Sequence, residues 1–202
     1  GLSNGDLKRG LEFGLEEYQE IASYCKKLGV HWFASCWDEE SVDFIEQFDP
    51  SCYKIASASL TDDGLLRHHR KFGRPIILST GMSTMTEIEH AIEVLGDHDL
   101  VVLHCTSTYP AKIEELNLQM ISALVKKYGF PIGYSGHEAG LSTAFATAVM
   151  GATMIEKHIT LDRAMWGSDQ AASLEPHDIS QLVEYIRLWE SALGDGIKKV
   201  YE

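Results

Sequence analysis

The run PIILSTGMSTMTEIEHAIEVLGDHDLVVLHC, Pro75–Cys105, decides the fold. It opens on Pro75 to Ser79, an apolar run of strand length. Thr84 and Glu87 follow at the spacing of a capping box, which starts a helix running to Leu95, with Gly96 behind it. Leu100 to Cys105 is a second apolar run. Strand, helix and strand with no hairpin turn between them make a βαβ unit, and its two strands must lie parallel.

The same alternation extends in both directions. Upstream, Leu15, Tyr18, Ile21, Ala22, Cys25 and Leu28 fall at three- and four-residue steps, which predicts a helix over Leu15 to Leu28, stopped by Gly29. Val30 to Cys36 then reads as a strand, Glu39 to Phe48 as a helix, Cys52 to Ser57 as extended and Gly64 to Phe72 as a helix. Downstream come a helix over Asn117 to Tyr128, a strand over Pro131 to Ser135 and a helix over Leu141 to Met150. A last strand, Thr153 to Thr160, precedes a long helix that Pro176 opens and that runs to Leu193. Six predicted strands alternate with helices and read as nearly continuous apolar runs, as in a parallel sheet covered on both faces. Residues 1–202 contain no linker and are read as one α/β domain.

Composition narrows the function. Thirty acidic residues against 17 basic ones give a net charge of −13, which argues against nucleic acid and against anionic membrane surfaces as partners. No apolar run approaches the roughly 20 residues of a membrane span. The polar start, Gly1 to Gly10, carries no apolar signal-peptide core. Cys25, Cys36, Cys52 and Cys105 form no C-x-x-C pair, so the expectation is a cytoplasmic protein with reduced cysteines used in packing.

Each apolar run ends in chemically useful residues: Ser35; Lys54 and Ser57; Ser79 and Thr80; His104, Thr106 and Ser107; Ser135 and His137; Glu156 and His158. One strand-end serine is an ordinary turn residue. Six consecutive strands ending this way point to a site at the carboxyl edge, where parallel α/β folds place theirs. Lys54 lies inside the apolar segment Tyr53-Lys54-Ile55-Ala56-Ser57, so it is either an edge-strand guard or a cation for a phosphate or carboxylate. Glu156 and His158 are two apart and share a strand face, opposite Ile155, Lys157 and Ile159. One strand earlier, His137 closes Gly133-Tyr134-Ser135-Gly136-His137, so the two histidines could meet at a divalent ion such as Mn²⁺ or remain structural. Asp169 either closes over this site as a carboxylate or caps its turn. His68, His69, His90, His98 and His177 read as solvated helix-surface residues.

Six runs together resemble the sialic acid synthases, that is, the N-acetylneuraminate synthase family and its relatives that make other nonulosonic acids. They are Tyr53-Lys54-Ile55-Ala56-Ser57, Leu78-Ser79-Thr80-Gly81-Met82, His104-Cys105-Thr106-Ser107-Thr108-Tyr109-Pro110, Gly133-Tyr134-Ser135-Gly136-His137-Glu138, Ile155-Glu156-Lys157-His158-Ile159-Thr160-Leu161-Asp162 and Ala172-Ser173-Leu174-Glu175-Pro176. The resemblance runs in order from about Phe13 to the end. It implies a (β/α)₈ TIM barrel followed by a small antifreeze-like domain. This chain is then expected to form a partial (β/α)₈ barrel of six parallel strands, family strands three to eight. The first two strands and the antifreeze-like domain are expected to lie outside it.

The resemblance also implies a reaction: phosphoenolpyruvate condenses with an N-acetylated hexosamine, N-acetylmannosamine or its 6-phosphate, and phosphate leaves by C–O cleavage. A divalent metal, Mn²⁺ or Mg²⁺, and a homodimer belong to that picture. The roles it implies are His137 and His158 for the metal, and Lys54, Ser57, Ser79, Ser107 and Ser135 for phosphoenolpyruvate. Tyr109 and Ser35 would contact substrate, Glu156 would orient the sugar or shuttle protons, and Asp169 would hold a sugar hydroxyl or position water. Two other readings stand beside it: a non-catalytic module that binds sugar or a partner, and a synthase for a different 2-keto sugar acid.

Overall fold

The computed structural model describes residue 5 and residues 10–200, so the reading of Gly1 to Gly10 falls almost wholly outside the described residues. The first helix, α1 (Leu15–Leu28), is followed by α2 (Glu39–Glu46). Strand–helix pairs then succeed one another: β1 (Tyr53–Ile55) and α3 (Asp63–Arg70), β2 (Ile76–Ser79) and α4 (Met85–Leu95), β3 (Leu100–Cys105) and α5 (Gln119–Lys127). The last are β4 (Ile132–Gly136) and α6 (Ser142–Val149), then β5 (Ile155–Lys157) and α7 (Pro176–Leu193).

The five strands lie in chain order, β1-β2-β3-β4-β5, every neighbouring pair parallel. They form a curled half-barrel with the helices outside. Val30 to Cys36, expected as a sixth strand, is not one. It reaches the sheet through a single parallel bridge, Ser35 to Lys54. Among the described residues the segment is apolar as expected, but an apolar run does not by itself make its backbone pair in a ladder.

The local reasons for the elements are those of the sequence. Thr84 and Glu87 form the capping box, the Thr84 hydroxyl accepting from the Glu87 amide at 3.3 Å and the Glu87 carboxylate from the Thr84 amide at 2.7 Å. All residues of β1, β2 and β4 are buried, as the unbroken apolar runs require. Tyr53, Ile55, Ile76, Leu78, Leu100 and Val102 of the sheet pack with Leu66 of α3, Ile88, Ala91 and Leu95 of α4 and Leu124 of α5 in one core. Among the described residues no helix is long and apolar enough to cross a membrane. All four cysteines are free, with Cys36 and Cys105 buried.

Two histidine readings are corrected, since the His68 side chain is only 10% exposed and His69 is buried outright. His69 is fully buried, its Nδ1 bonded to the Leu65 carbonyl at 2.8 Å and its ring edge-on to Tyr53. Leu65 and His69 are four apart, so they share the inward face of α3. His68, one position earlier, faces Glu39 and Asp43 across to α2.

Candidate active site

The carboxyl ends of the strands open into a cavity of about 420 Å³. Ser35, Lys54, Ser57, Ser79, Ser107, Tyr109, Ser135, His137, Glu156 and His158 all line it. Asp169 stands at the rim, its carboxylate 3.9 Å from His158 Nδ1. Three other strand-end residues turn elsewhere. The Thr80 hydroxyl donates to the Leu103 carbonyl, His104 Nε2 bonds the Leu116 carbonyl, and the Thr106 hydroxyl donates to the Glu115 carbonyl.

One wall is cationic. The Lys54 side chain is 7% exposed; its ammonium lies 3.6 Å from Glu156 Oε2 and donates to the Ile55 carbonyl at 3.1 Å. Burial pushes this lysine below its ordinary pKa, and the Glu156 charge opposes the shift. The other Glu156 oxygen accepts from the Ser135 hydroxyl at 2.7 Å, so both carboxylate oxygens are tied.

Hydroxyls line the cavity as well. Ser57 Oγ accepts the Gly81 amide at 2.9 Å and lies 3.7 Å from Cys105 Sγ. Ser79 Oγ is buried without a partner in the protein. A buried hydroxyl left unpaired is costly, and its satisfaction falls to something that enters the cavity. Glycine at position 81 leaves these hydroxyls in place, because a Cβ there would stand 2.0 Å from Ser107 Oγ and 3.0 Å from Ser57 Oγ and force them to move. The bare backbone lets two hydroxyls and an amide converge.

Aromatic rings form the third side. Tyr109 lies over His137 with centroids 4.1 Å apart and meets His158 edge-on at 5.7 Å. The two imidazoles are 5.2 Å apart. His137 Nδ1 contacts the Thr106 carbonyl at 2.8 Å, and a carbonyl only accepts, so Nδ1 carries the proton and Nε2 is the atom open to an ion. Burial pushes His137 down, but the Cys105 contact, the Thr106 carbonyl and the Glu156 charge outweigh it, and its pKa rises. His158 goes down, by burial first and then by its neighbour His137. For a divalent ion the chain therefore supplies two imidazole nitrogens. Among the described residues no group of three or more His, Cys, Asp and Glu could hold a metal, so water and substrate oxygens would complete the shell.

Sequence reasoning missed two features. Cys105, read as a packing thiol, sits on the cavity wall, 3.8 Å from His137 Nδ1 and 3.7 Å from Ser107 Oγ. Burial raises its pKa, but His137 and the two serines outweigh burial and hold it below the ordinary thiol value. Its place at the carboxyl end of β3 was the available signal. The second is a buried ion pair, Glu138 with Lys157, whose Oε1 and Nζ are 3.2 Å apart. No pattern within either strand announces it.

Similarity to known proteins bears on this arrangement. The chain is 37% identical over 203 residues to mouse N-acetylneuraminate-9-phosphate synthase, covering 99% of this chain and 56% of that protein. It is 38% identical over 194 residues to a Campylobacter jejuni N,N'-diacetyllegionaminic acid synthase, covering 94% and 58%. The chain thus spans a little over half the length of these curated relatives. The crystal structure of an N-acetylneuraminic acid synthetase from Leptospira borgpetersenii superposes with a TM-score of 0.89 at 32% identity, over 94% of this chain and 67% of that one. Residues 2–198 match the NeuB family, and the chain belongs to it.

Proposed function

We propose that this chain carries the catalytic cavity of a nonulosonic acid synthase, which joins phosphoenolpyruvate to an N-acetylated hexosamine, N-acetylmannosamine or its 6-phosphate, and releases phosphate. The observation that carries the reading is the pairing of the buried Lys54 ammonium with a cluster of hydroxyls that includes the unpartnered Ser79 Oγ. A cation and converging donors suit a multiply charged phosphate ester. The names of the relatives, synthases of sialic and legionaminic acids, support the same class of reaction.

In this reading Lys54 offsets the charge of phosphoenolpyruvate, Ser57, Ser79 and Ser107 donate to its oxygens, Ser135 lines the anion site with its proton on Glu156, and the Gly81 backbone leaves them room. The methylene carbon attacks the aldehyde carbon of the sugar, forming the new C–C bond, and the aldehyde oxygen takes up a proton. Water adds at C2 of the former phosphoenolpyruvate. Glu156, tied by Ser135 and Lys54, takes one proton of the water; the bond between C2 and the phosphate-bearing oxygen then breaks, the C2 hydroxyl gives its proton to the departing phosphate, and a keto group remains. Tyr109 and Ser35 contact the substrate, and Asp169 holds a sugar hydroxyl or the water. His137 and His158 would hold a divalent ion, Mn²⁺ or Mg²⁺, and such an ion supplies Lewis-acid polarisation of the aldehyde oxygen when bound. A homodimer in the cytoplasm completes the proposal.

The test is phosphate release from phosphoenolpyruvate with N-acetylmannosamine, its 6-phosphate or bacillosamine-type sugars. Release that depends on one of these sugars is expected. Release with none of them sinks the reading, and release with a different aldehyde moves the chain to another 2-keto acid synthase.

A further inference from the structure

Strand β5 carries Glu156, Lys157 and His158 in succession, and β4 runs into His137 and Glu138. The two site histidines are therefore each adjacent in sequence to a member of the buried Glu138–Lys157 pair. The Glu138 side chain is fully buried and that of Lys157 is 4% exposed. Lys157 Nζ also donates to the backbone carbonyl of Glu138 at 2.7 Å, so it grips the chain one residue beyond His137 as well as the carboxylate. The carboxylate in turn accepts from the Tyr134 hydroxyl at 2.9 Å and from the Thr143 hydroxyl at the start of α6. Gly136 makes the fold-back possible, because a Cβ there would stand 2.6 Å from both Glu138 Oε2 and the Tyr134 ring.

We propose that the Glu138–Lys157 pair is a positioning device that sets the spacing and orientation of His137 and His158. A buried pair is an inefficient source of stability, since desolvation consumes most of the attraction. Its geometric effect is of another kind. It links the end of β5 to the turn that follows β4, at the level of the histidines, from the last ladder pair, Gly136 and Lys157, outward. Backbone pairing there is replaced by a side-chain tie with three further hydrogen bonds. The imidazoles, 5.2 Å apart, then sit on two segments that cannot shift separately.

The test separates positioning from stability. In Lys157→Met, Glu138 is left as an uncompensated buried charge, and the melting temperature should fall. In Glu138→Gln with Lys157→Met no charge remains, and the amide oxygen still accepts from Tyr134, so the melting temperature should return close to the wild-type value. The histidine ring carbon–proton resonances of His137 and His158, read by NMR on the full chain, should nevertheless stay displaced, and Mn²⁺ should bind at least tenfold more weakly by calorimetric titration. Wild-type ring resonances in the double variant overturn the proposal. Tyr134→Phe, an isosteric change that removes one donor to Glu138, should move the same two resonances less far, and no movement there also overturns it. The metal-binding role proposed for the histidines enters only the affinity measurement. A wild-type chain that takes up no Mn²⁺ defeats that reading, while the resonances still decide this one.

Discussion

Lys54, on the first strand of the sheet, lies 3.6 Å from Glu156, on the last. In a flat sheet β1 and β5 would stand four strand spacings apart, about 19 Å at ~4.8 Å each. A lysine side chain spans only about a third of that, so the contact requires the sheet to curl until its outer strands face one another across the cavity. The ion pair is thus a property of barrel curvature, and it sets the buried cation beside a carboxylate.

Gly81→Ala tests the hydroxyl wall. The added methyl would stand 2.0 Å from Ser107 Oγ, so Ser107 has to rotate and Ser57 has to give way. Overpacking of this kind costs about 1–3 kcal/mol. The variant should fold with a lowered melting temperature and bind phosphoenolpyruvate at least tenfold more weakly by calorimetry. Wild-type affinity would show that the anion does not use this wall.

The elements were legible where local chemistry decides them. Helices α1 and α7 have the predicted bounds, because Gly29 and Pro176 mark ends that tertiary contacts do not override. The first expected strand shrank to one bridge because an apolar run does not show that its backbone pairs with a neighbour. The strand-end residues were legible as a set, since carboxyl ends of parallel strands converge whatever the helices do. Lys157 was read only as an outward position of its strand. Its partner Glu138 lies 19 residues upstream, in the turn after β4, and nothing in the period of either run encodes that meeting. His69 could have been found from the inward spacing it shares with Leu65 and Leu66 on α3.

Burial of His69 predicts an acid-side loss of stability. Desolvation lowers its pKa in the folded chain, ahead of the opposing Leu65 carbonyl. As pH falls through about 6.5, the unfolded imidazole takes a proton that the folded one refuses, so stability is full above that pH and declines below it. His104 is lowered by burial in the same way and adds to the decline. Each pH unit in the window is worth at most about 1.4 kcal/mol per group. Urea unfolding at pH 7 and pH 5 should show the loss, and His69→Leu should show a smaller one. Equal losses in the two proteins would mean that His69 titrates as freely folded as unfolded.

The two imidazoles should act on a metal as a pair. His137→Ala and His158→Ala each remove one of the two donors the chain supplies, and each should weaken Mn²⁺ binding strongly in a calorimetric titration. His104→Ala, whose imidazole points to the Leu116 carbonyl, serves as the control and should leave the affinity unchanged. Unchanged affinity in both site variants would remove them as ligands.

Lys54 is the position where packing and electrostatics can be separated. Lys54→Met keeps most of the buried stem and removes the charge. Glu156 loses one tie but keeps the Ser135 hydroxyl, and its side chain is 36% exposed, so water can reach the freed oxygen. The variant should therefore melt near the wild-type temperature. Phosphoenolpyruvate, by contrast, would enter a cavity whose buried cation is gone. Truncating one side of a buried charge pair costs about 2–5 kcal/mol, and each ~1.4 kcal/mol is tenfold in affinity. The dissociation constant for phosphoenolpyruvate should rise well over tenfold by calorimetry. A Met variant that binds phosphoenolpyruvate as wild type does would reduce Lys54 to a partner of Glu156, and the anion site would have to be rebuilt around the hydroxyls of Ser57, Ser79 and Ser107.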